Sequence, residues 1–104
     1  MDKVYVYKNS YGDYRVHPGV VVFGGGEKLR IVNATGVALR VAVPAGASKP
    51  HDAVEIEIAA EDHGDIKSRS QGSGKTRAYS YKVATKSGKK RAHGNSDPIL
   101  IIEN

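Results

Sequence analysis

Apolar and polar residues alternate along most of this chain with the period of two that a half-buried strand requires. Val4-Tyr5-Val6-Tyr7 is the first such run, and the polar, glycine-containing stretch Asn9-Ser10-Tyr11-Gly12-Asp13 separates it from Tyr14-Arg15-Val16-His17. Pro18-Gly19 introduces Val20-Val21-Val22-Phe23, which the triple glycine Gly24-Gly25-Gly26 stops with a tight reversal, because glycine reaches positive φ without a side-chain clash. Lys28 to Asn33 alternates again, Ala34-Thr35-Gly36 breaks the run, and Val37 to Val43 resumes it before Pro44-Ala45-Gly46. In Ala53-Val54-Glu55-Ile56-Glu57-Ile58 the alternation sends Val54, Ile56 and Ile58 to one face and the carboxylates to the other. Glu61 to Thr76, rich in Gly, Ser and charge, reads as a long connection with only Ile66 to bury. Ala78 to Ala84 alternates as one further strand. The closing Ile99-Leu100-Ile101-Ile102 is nearly continuous and β-branched, as in a strand from the middle of a packed region. About eight strands and no helix follow, spaced as in an all-β sandwich or barrel.

The chain has 104 residues, room for one core, so residues 1–104 are expected to form a single β-sandwich domain. Its hydrophobic fraction is 39%, with six Tyr, one Phe and no Trp, which predicts a thin aliphatic core. Ile31, Val41, Ile56, Tyr81, Ile99 and Ile101 are expected to point inward. No apolar stretch approaches the roughly 18 residues of a membrane-spanning helix, so no membrane partner is expected. Alternation begins at the N-terminus without the apolar run of a signal peptide. The expected location is the cytoplasm if Met1 is the native start, and the periplasm or exterior if a signal peptide has been removed. With no Cys there is no disulfide, thiolate nucleophile or thiolate metal ligand.

Charge sharpens the picture. The net charge is +5, yet the segment from Ile66 to Gly94 carries nine Lys or Arg and no Asp or Glu, after an acidic stretch of Glu55, Glu57, Glu61, Asp62 and Asp65. Lys86, Lys89, Lys90 and Arg91 are the candidate anion- or partner-binding residues, against the plainer reading of a solvated loop whose side chains hold no fixed partner. Tyr5, Tyr7, Tyr11, Tyr14, Tyr79 and Tyr81, interleaved with Lys and Arg, are the ingredients of a base-stacking surface, although alternation gives each a structural use as well. Tyr81 has the position of a tyrosine corner that ties a connection through its hydroxyl. Gly72-Ser73-Gly74-Lys75-Thr76 has the Gly-Lys-Thr end of a phosphate-binding loop, but Arg69 occupies the place of its first glycine and a strand rather than a helix follows. His17, His51, His63 and His93 show no metal-ligand spacing, and no nucleophile, base and acid can be grouped, so no catalytic residue, metal or cofactor is expected.

Taken in order, the strands resemble the cupredoxin-like fold, the Greek-key sandwich of small blue copper proteins. Pro18 to Asn33 is similar to that family's short strand, Gly-containing turn and following strand ending in Asn, and Ala34-Thr35-Gly36 fits its next loop. Tyr79-Ser80-Tyr81-Lys82-Val83, a basic loop and the Ile99–Ile102 strand resemble the family's closing Tyr-x-Tyr-x-Cys, ligand loop and last strand. The resemblance puts the first copper imidazole near Ala38 or Leu39, the thiolate at Val83 and the second imidazole within Thr85–Arg91, where there is no His; His93 lies closest, and the sole methionine is Met1. It therefore implies the sandwich without the electron-transfer chemistry. The expectation is a non-enzymatic, metal-free module presenting loops to a protein or small ligand. The competing class is a nucleic-acid or polyanion binder using the basic segment 66–94, and a weaker third is an unconventional His metal site.

Overall fold

The first hairpin shows how the local sequence sets the geometry. In the computed structural model, which describes residues 2–24, 26–44, 54–67, 76–87, 91–92 and 98–103, β1 (Asp2–Lys8) pairs antiparallel with β2 (Tyr14–His17). Asn9 builds the turn between them: its Oδ1 accepts from the backbone N–H of Tyr11 at 3.0 Å and of Asp13 at 2.9 Å, and Gly12 closes the turn at φ 83°. β3 (Val20–Gly24) reverses through Gly26, at φ 85°, into β4 (Lys28–Asn33), as the triple glycine predicts.

β4 lies parallel to β1 and antiparallel to β7 (His63–Lys67), giving a four-stranded layer of order β2-β1-β4-β7. Opposite it stand two sheets, one of four strands and one of three, rather than one continuous one. β5 (Leu39–Val43), β6 (Val54–Ile58), β9 (Lys82–Thr85) and β10 (Arg91–Ala92) form the order β10-β9-β5-β6, while β8 (Thr76–Ser80) and β11 (Ile99–Glu103) join β3 in the order β3-β11-β8. All pairs in these sheets are antiparallel except β3 with β11.

The described residues thus hold eleven strands where about eight were expected. Part of the supposed long connection is β7, whose inward positions are Ile66 and the glycine Gly64, a pattern too sparse in apolar residues to signal a strand. The run Ala78–Ala84 is two strands, because the chain leaves one sheet for the other at Tyr81. β10 is only two residues long, below what periodicity resolves.

The core draws on both layers: Val4, Val6, Leu29 and Ile31 from the first, Leu39, Val41, Val43, Ile58, Val83, Leu100 and Ile102 from the others. Ile31, Val41 and Tyr81 are fully buried as expected. Ile56 is only half-buried, on an edge strand. Ile99 and Ile101 were assigned the wrong side: Leu100 and Ile102 face inward, and the two isoleucines are half-buried on the outer face. A run apolar at every position carries no period-two signal, so its facing is set by what it pairs with. Ile99 N–H donates to the Gly19 carbonyl at 2.9 Å and fixes that register.

Two buried polar groups sit where the chain changes sheets, and they differ sharply. Asn33, 1% exposed, ends β4 at the crossover to β5. Its Nδ2 lies 2.8 Å from the Val37 carbonyl, 3.2 Å from that of Ile58 and 3.0 Å from that of Ala59, so two hydrogens serve three acceptors. Its Oδ1 accepts from Thr35 N–H at 3.0 Å and from the Thr35 hydroxyl at 2.6 Å. At the β8–β9 crossing Tyr81 has its N–H on the Pro98 carbonyl at 3.0 Å, but its buried hydroxyl has no hydrogen-bond partner among the described residues, so the expected hydroxyl tie of a tyrosine corner is not made there.

Three outcomes follow. Asn33→Ala strands a buried N–H and several carbonyls at about 1–3 kcal/mol each, before relaxation and water entry, and is expected to lose about 2–5 kcal/mol in urea unfolding. A loss below about 1 kcal/mol would show that the network contributes little. Gly64→Ala places a Cβ 3.0 Å from Ile58 Cγ1 and 3.1 Å from Ile56 Cδ1, between β7 and β6, and is expected to cost about 1–3 kcal/mol by the same assay. Tyr81→Phe removes an unpaired hydroxyl and is expected to leave stability unchanged or raise it by about 1 kcal/mol. Burial pushes the Tyr81 hydroxyl well above its ordinary value of 10.0. Above about pH 10 the unfolded chain therefore loses this proton while the native state keeps it, and stability falls as pH rises. That alkaline loss should be smaller in Tyr81→Phe, measured by urea midpoints between about pH 9 and 11.

Candidate functional site

The positions that the blue copper resemblance assigns to metal ligands lie on neighbouring strands. Leu39 and Val41 of β5 stand opposite Thr85 and Val83 of β9, and Leu39, Val41 and Val83 are all 0% exposed. A blue copper centre needs two imidazoles and a thiolate converging on one point. Here aliphatic side chains converge there instead and offer no lone pair, so the residues present do not fit the metal. The polar groups nearby are committed elsewhere: Asn33 to the crossover network, and the Thr85 hydroxyl to a 3.1 Å contact with the Ser87 hydroxyl. Among the described residues no three His, Asp or Glu side chains are grouped to hold a metal ion. His17 and His63 are exposed on the outer face of the first layer, and His51 and His93 lie outside the described residues.

The described residues of the basic segment do not form one surface. Lys67 faces outward from β7, whereas Arg77, Lys82 and Lys86 belong to the opposite layer. Lys86, expected to hold no fixed partner, has its N–H on the Ala38 carbonyl at 3.0 Å and its Nζ 3.5 Å from Glu57 Oε2. It closes a cluster in which Arg40 Nε lies 3.0 Å from Glu55 Oε1, at an angle that makes no hydrogen bond, and Arg40 Nη2 lies 3.6 Å from Glu57. Alternation had put those carboxylates on the wet face of β6, and the fold sets cations against them. Lys89 and Lys90 lie outside the described residues, and of Arg91 only the backbone is described, paired with Ala84. Of the Gly72–Thr76 stretch only Thr76 is described, and it begins strand β8 where a phosphate-binding loop would begin a helix.

Sequence reasoning did not find two sheet faces as surfaces. On the outside of β3-β11-β8, Val20 (52% exposed) stands beside Ile99, and Val22 (47%) beside Ile101, with Ala78 next in line. On the outside of β2-β1-β4-β7, Tyr5 stands between His17 of β2 and Val32 of β4, Tyr7 stands beside Arg15, and Arg30 and Lys28 follow further along β4. Arg30 and Asp65 meet there in a two-point pair, Nε to Oδ1 at 2.9 Å and Nη2 to Oδ2 at 3.2 Å. The Arg30 guanidinium holds the Asp65 carboxyl below the ordinary carboxylate range. The alternation of Lys28-Leu29-Arg30-Ile31 carried the signal for this second face; which strands lie beside it was not in any single segment.

A mostly apolar cleft of about 240 Å³, lined by Ala42, Val43, Pro44, Ser80 and Lys82, opens where β8 passes into β9. It is smaller than the roughly 300–1,000 Å³ of drug-sized ligand sites.

The sequence matches no protein-family model and no curated protein. Solved structures match over nearly the whole chain. Amicyanin from Paracoccus versutus aligns with a TM-score of 0.60 over 99% of this chain and 83% of its own, at 19% identity. The reduced Cu(I) form of an amicyanin variant gives a TM-score of 0.60 over 99% and 84% at 12% identity. A purple cupredoxin from Nitrosopumilus maritimus gives 0.58 over 99% and 100% at 11% identity. Strand order and these alignments lead to one conclusion: the chain has a cupredoxin-like fold, and among its described residues no group of metal-ligating side chains is assembled.

Proposed function

We propose that this protein is a non-enzymatic, metal-free binding module, a cupredoxin-like sandwich that contacts a protein or small ligand through its faces and loops. The observation that carries this reading is the packing of Leu39, Val41 and Val83 at full burial across β5 and β9. Each such side chain stabilises the core by about 1.5–3 kcal/mol relative to exposure. Those positions therefore serve the core and not a cofactor. Exposed aliphatic residues on β3-β11-β8 and exposed tyrosines on β1 support contact with a partner, since large side chains left wet in groups mark interaction surfaces.

The test is metal titration of the purified protein. One equivalent of Cu²⁺ or Zn²⁺ is expected to give no intense thiolate-to-copper absorption and no change in Tm, because a ligand that binds only the native state would raise Tm by mass action. A rise of several degrees at one equivalent would overturn the metal-free reading.

A further inference from the structure

The register of the first layer collects one kind of chemistry on its solvent face. Residues 3, 5 and 7 of β1 point outward because Val4 and Val6 are fully buried. Pairing then sets Tyr5 between His17 and Val32, Tyr7 beside Arg15, and Lys3 beside Arg30; Val32 stands next to His63 and Lys28 next to Lys67. Tyr5 is 44% exposed and Tyr7 39%, and Tyr11, at the tip of the β1–β2 hairpin, is 88% exposed. The cations on this face are Lys3, Arg15, Lys28, Arg30 and Lys67. The one carboxylate among them is Asp65, tied to Arg30, while Asp13, 3.8 Å from Arg15, sits at the hairpin end. Glu27 and Asp62 also lie at the ends of the strands, in turns.

We propose that this face binds single-stranded nucleic acid, with Tyr5 and Tyr7 stacking on bases and Lys3, Arg15, Lys28 and Lys67 meeting phosphates. The proposal rests on the reading of a non-enzymatic, metal-free binding module and gives that module a nucleic-acid partner in place of a protein or small ligand. Two residues apart on one strand, the tyrosines stand about 6.6–7 Å apart, enough for unstacked neighbouring bases to lie one on each ring. A duplex hides its base faces and has none to offer such rings. An acidic peptide would satisfy the cations but would leave both rings without aromatic partners. Arg15 lies beside Tyr7, Lys3 follows Tyr5 along β1, and Lys28 and Lys67 sit together beyond Lys3 at that end of the face, so the cations mark a line that a backbone crossing the face would follow.

The experiment is fluorescence anisotropy of labelled oligothymidylate and oligouridylate of about eight nucleotides, from about 50 to 200 mM salt. Wild-type protein is expected to bind with a log–log salt slope of about −3, four phosphates at roughly −0.7 each. Tyr5→Ala and Tyr7→Ala are each expected to weaken binding at least about fivefold, while the Phe variants keep it. Lys28→Glu with Lys67→Glu forms a second arm that leaves the rings intact and is expected to weaken binding and flatten the slope. A Lys86→Glu, Lys89→Glu, Lys90→Glu variant is expected to bind like wild type. No binding at about 50 mM salt, equal binding of polyglutamate, indifference to both tyrosines, or loss only in the Lys86 variant would each overturn the assignment. The same preparations receive the Cu²⁺ titration. Absent oligonucleotide binding with no metal-induced rise in Tm removes nucleic acid and leaves the binding module, whereas a rise in Tm removes the module reading itself.

Discussion

The side-chain amide of Asn33 holds the place where the chain passes from one layer of the sandwich to the other. Its partners come from the crossover loop, through Thr35 and Val37, and from the end of β6, through Ile58 and Ala59. Its backbone continues the pattern, with Asn33 N–H on the Asp62 carbonyl at 2.8 Å and Ala34 N–H on that of Val6 at 2.8 Å. A buried polar group of this kind stabilises only if every partner is present, so it admits one arrangement of the loop and penalises others. The placement of β5 over the first layer, and with it the burial of Leu39 and Val41, depends on that geometry. β6 is held at both levels, by Asn33 through its carbonyls and by the close approach of Gly64 to Ile56 and Ile58.

With the crossover fixed, the positions facing each other across β5 and β9 must hold something. A sandwich with imidazole and thiolate there buries polar ligands that the metal satisfies; without the metal they would be buried donors and acceptors with no partner. Leu39 and Val83 remove that requirement. The strands there are joined by apolar packing and leave no buried ligand atom to satisfy.

Much of this architecture was legible in the chain. Strict alternation gave β4, β5 and β6 with the correct facing, because each has a wetter and a drier side, and in β1 it separated the valines from the tyrosines without saying which set is buried. It failed where that contrast is missing. Ile99 and Ile101 cannot be told from Leu100 and Ile102 when all four are apolar, and β7 hides behind Gly64, whose lack of a side chain is itself demanded by the packing. Asn33 was visible as the end of a strand, but its role was not, since its acceptors lie 4, 25 and 26 positions away. The basic run 66–94 was legible as charge but not as an arrangement in space, because the fold sends Lys67 and Lys86 to different layers and pairs Lys86 with Glu57. The tyrosines of β1 were legible as ingredients of a surface, whereas the cations that share their sheet face come from the separate segments β2, β4 and β7.

The single-residue passage from β8 to β9 has a mechanical consequence. Ser80 belongs to one sheet and Lys82 to another, with Tyr81 fully buried between them and its N–H held by Pro98 at the start of β11. A loop of ordinary length would let either sheet fray while the other stayed closed. Here there is no slack: opening of β8 pulls directly on β9, and release of β11 frees the anchor of both. The sheets that hold β8 and β9 therefore belong to one cooperative unit, and their amide protons should exchange with solvent through a shared, near-global opening rather than by separate local events.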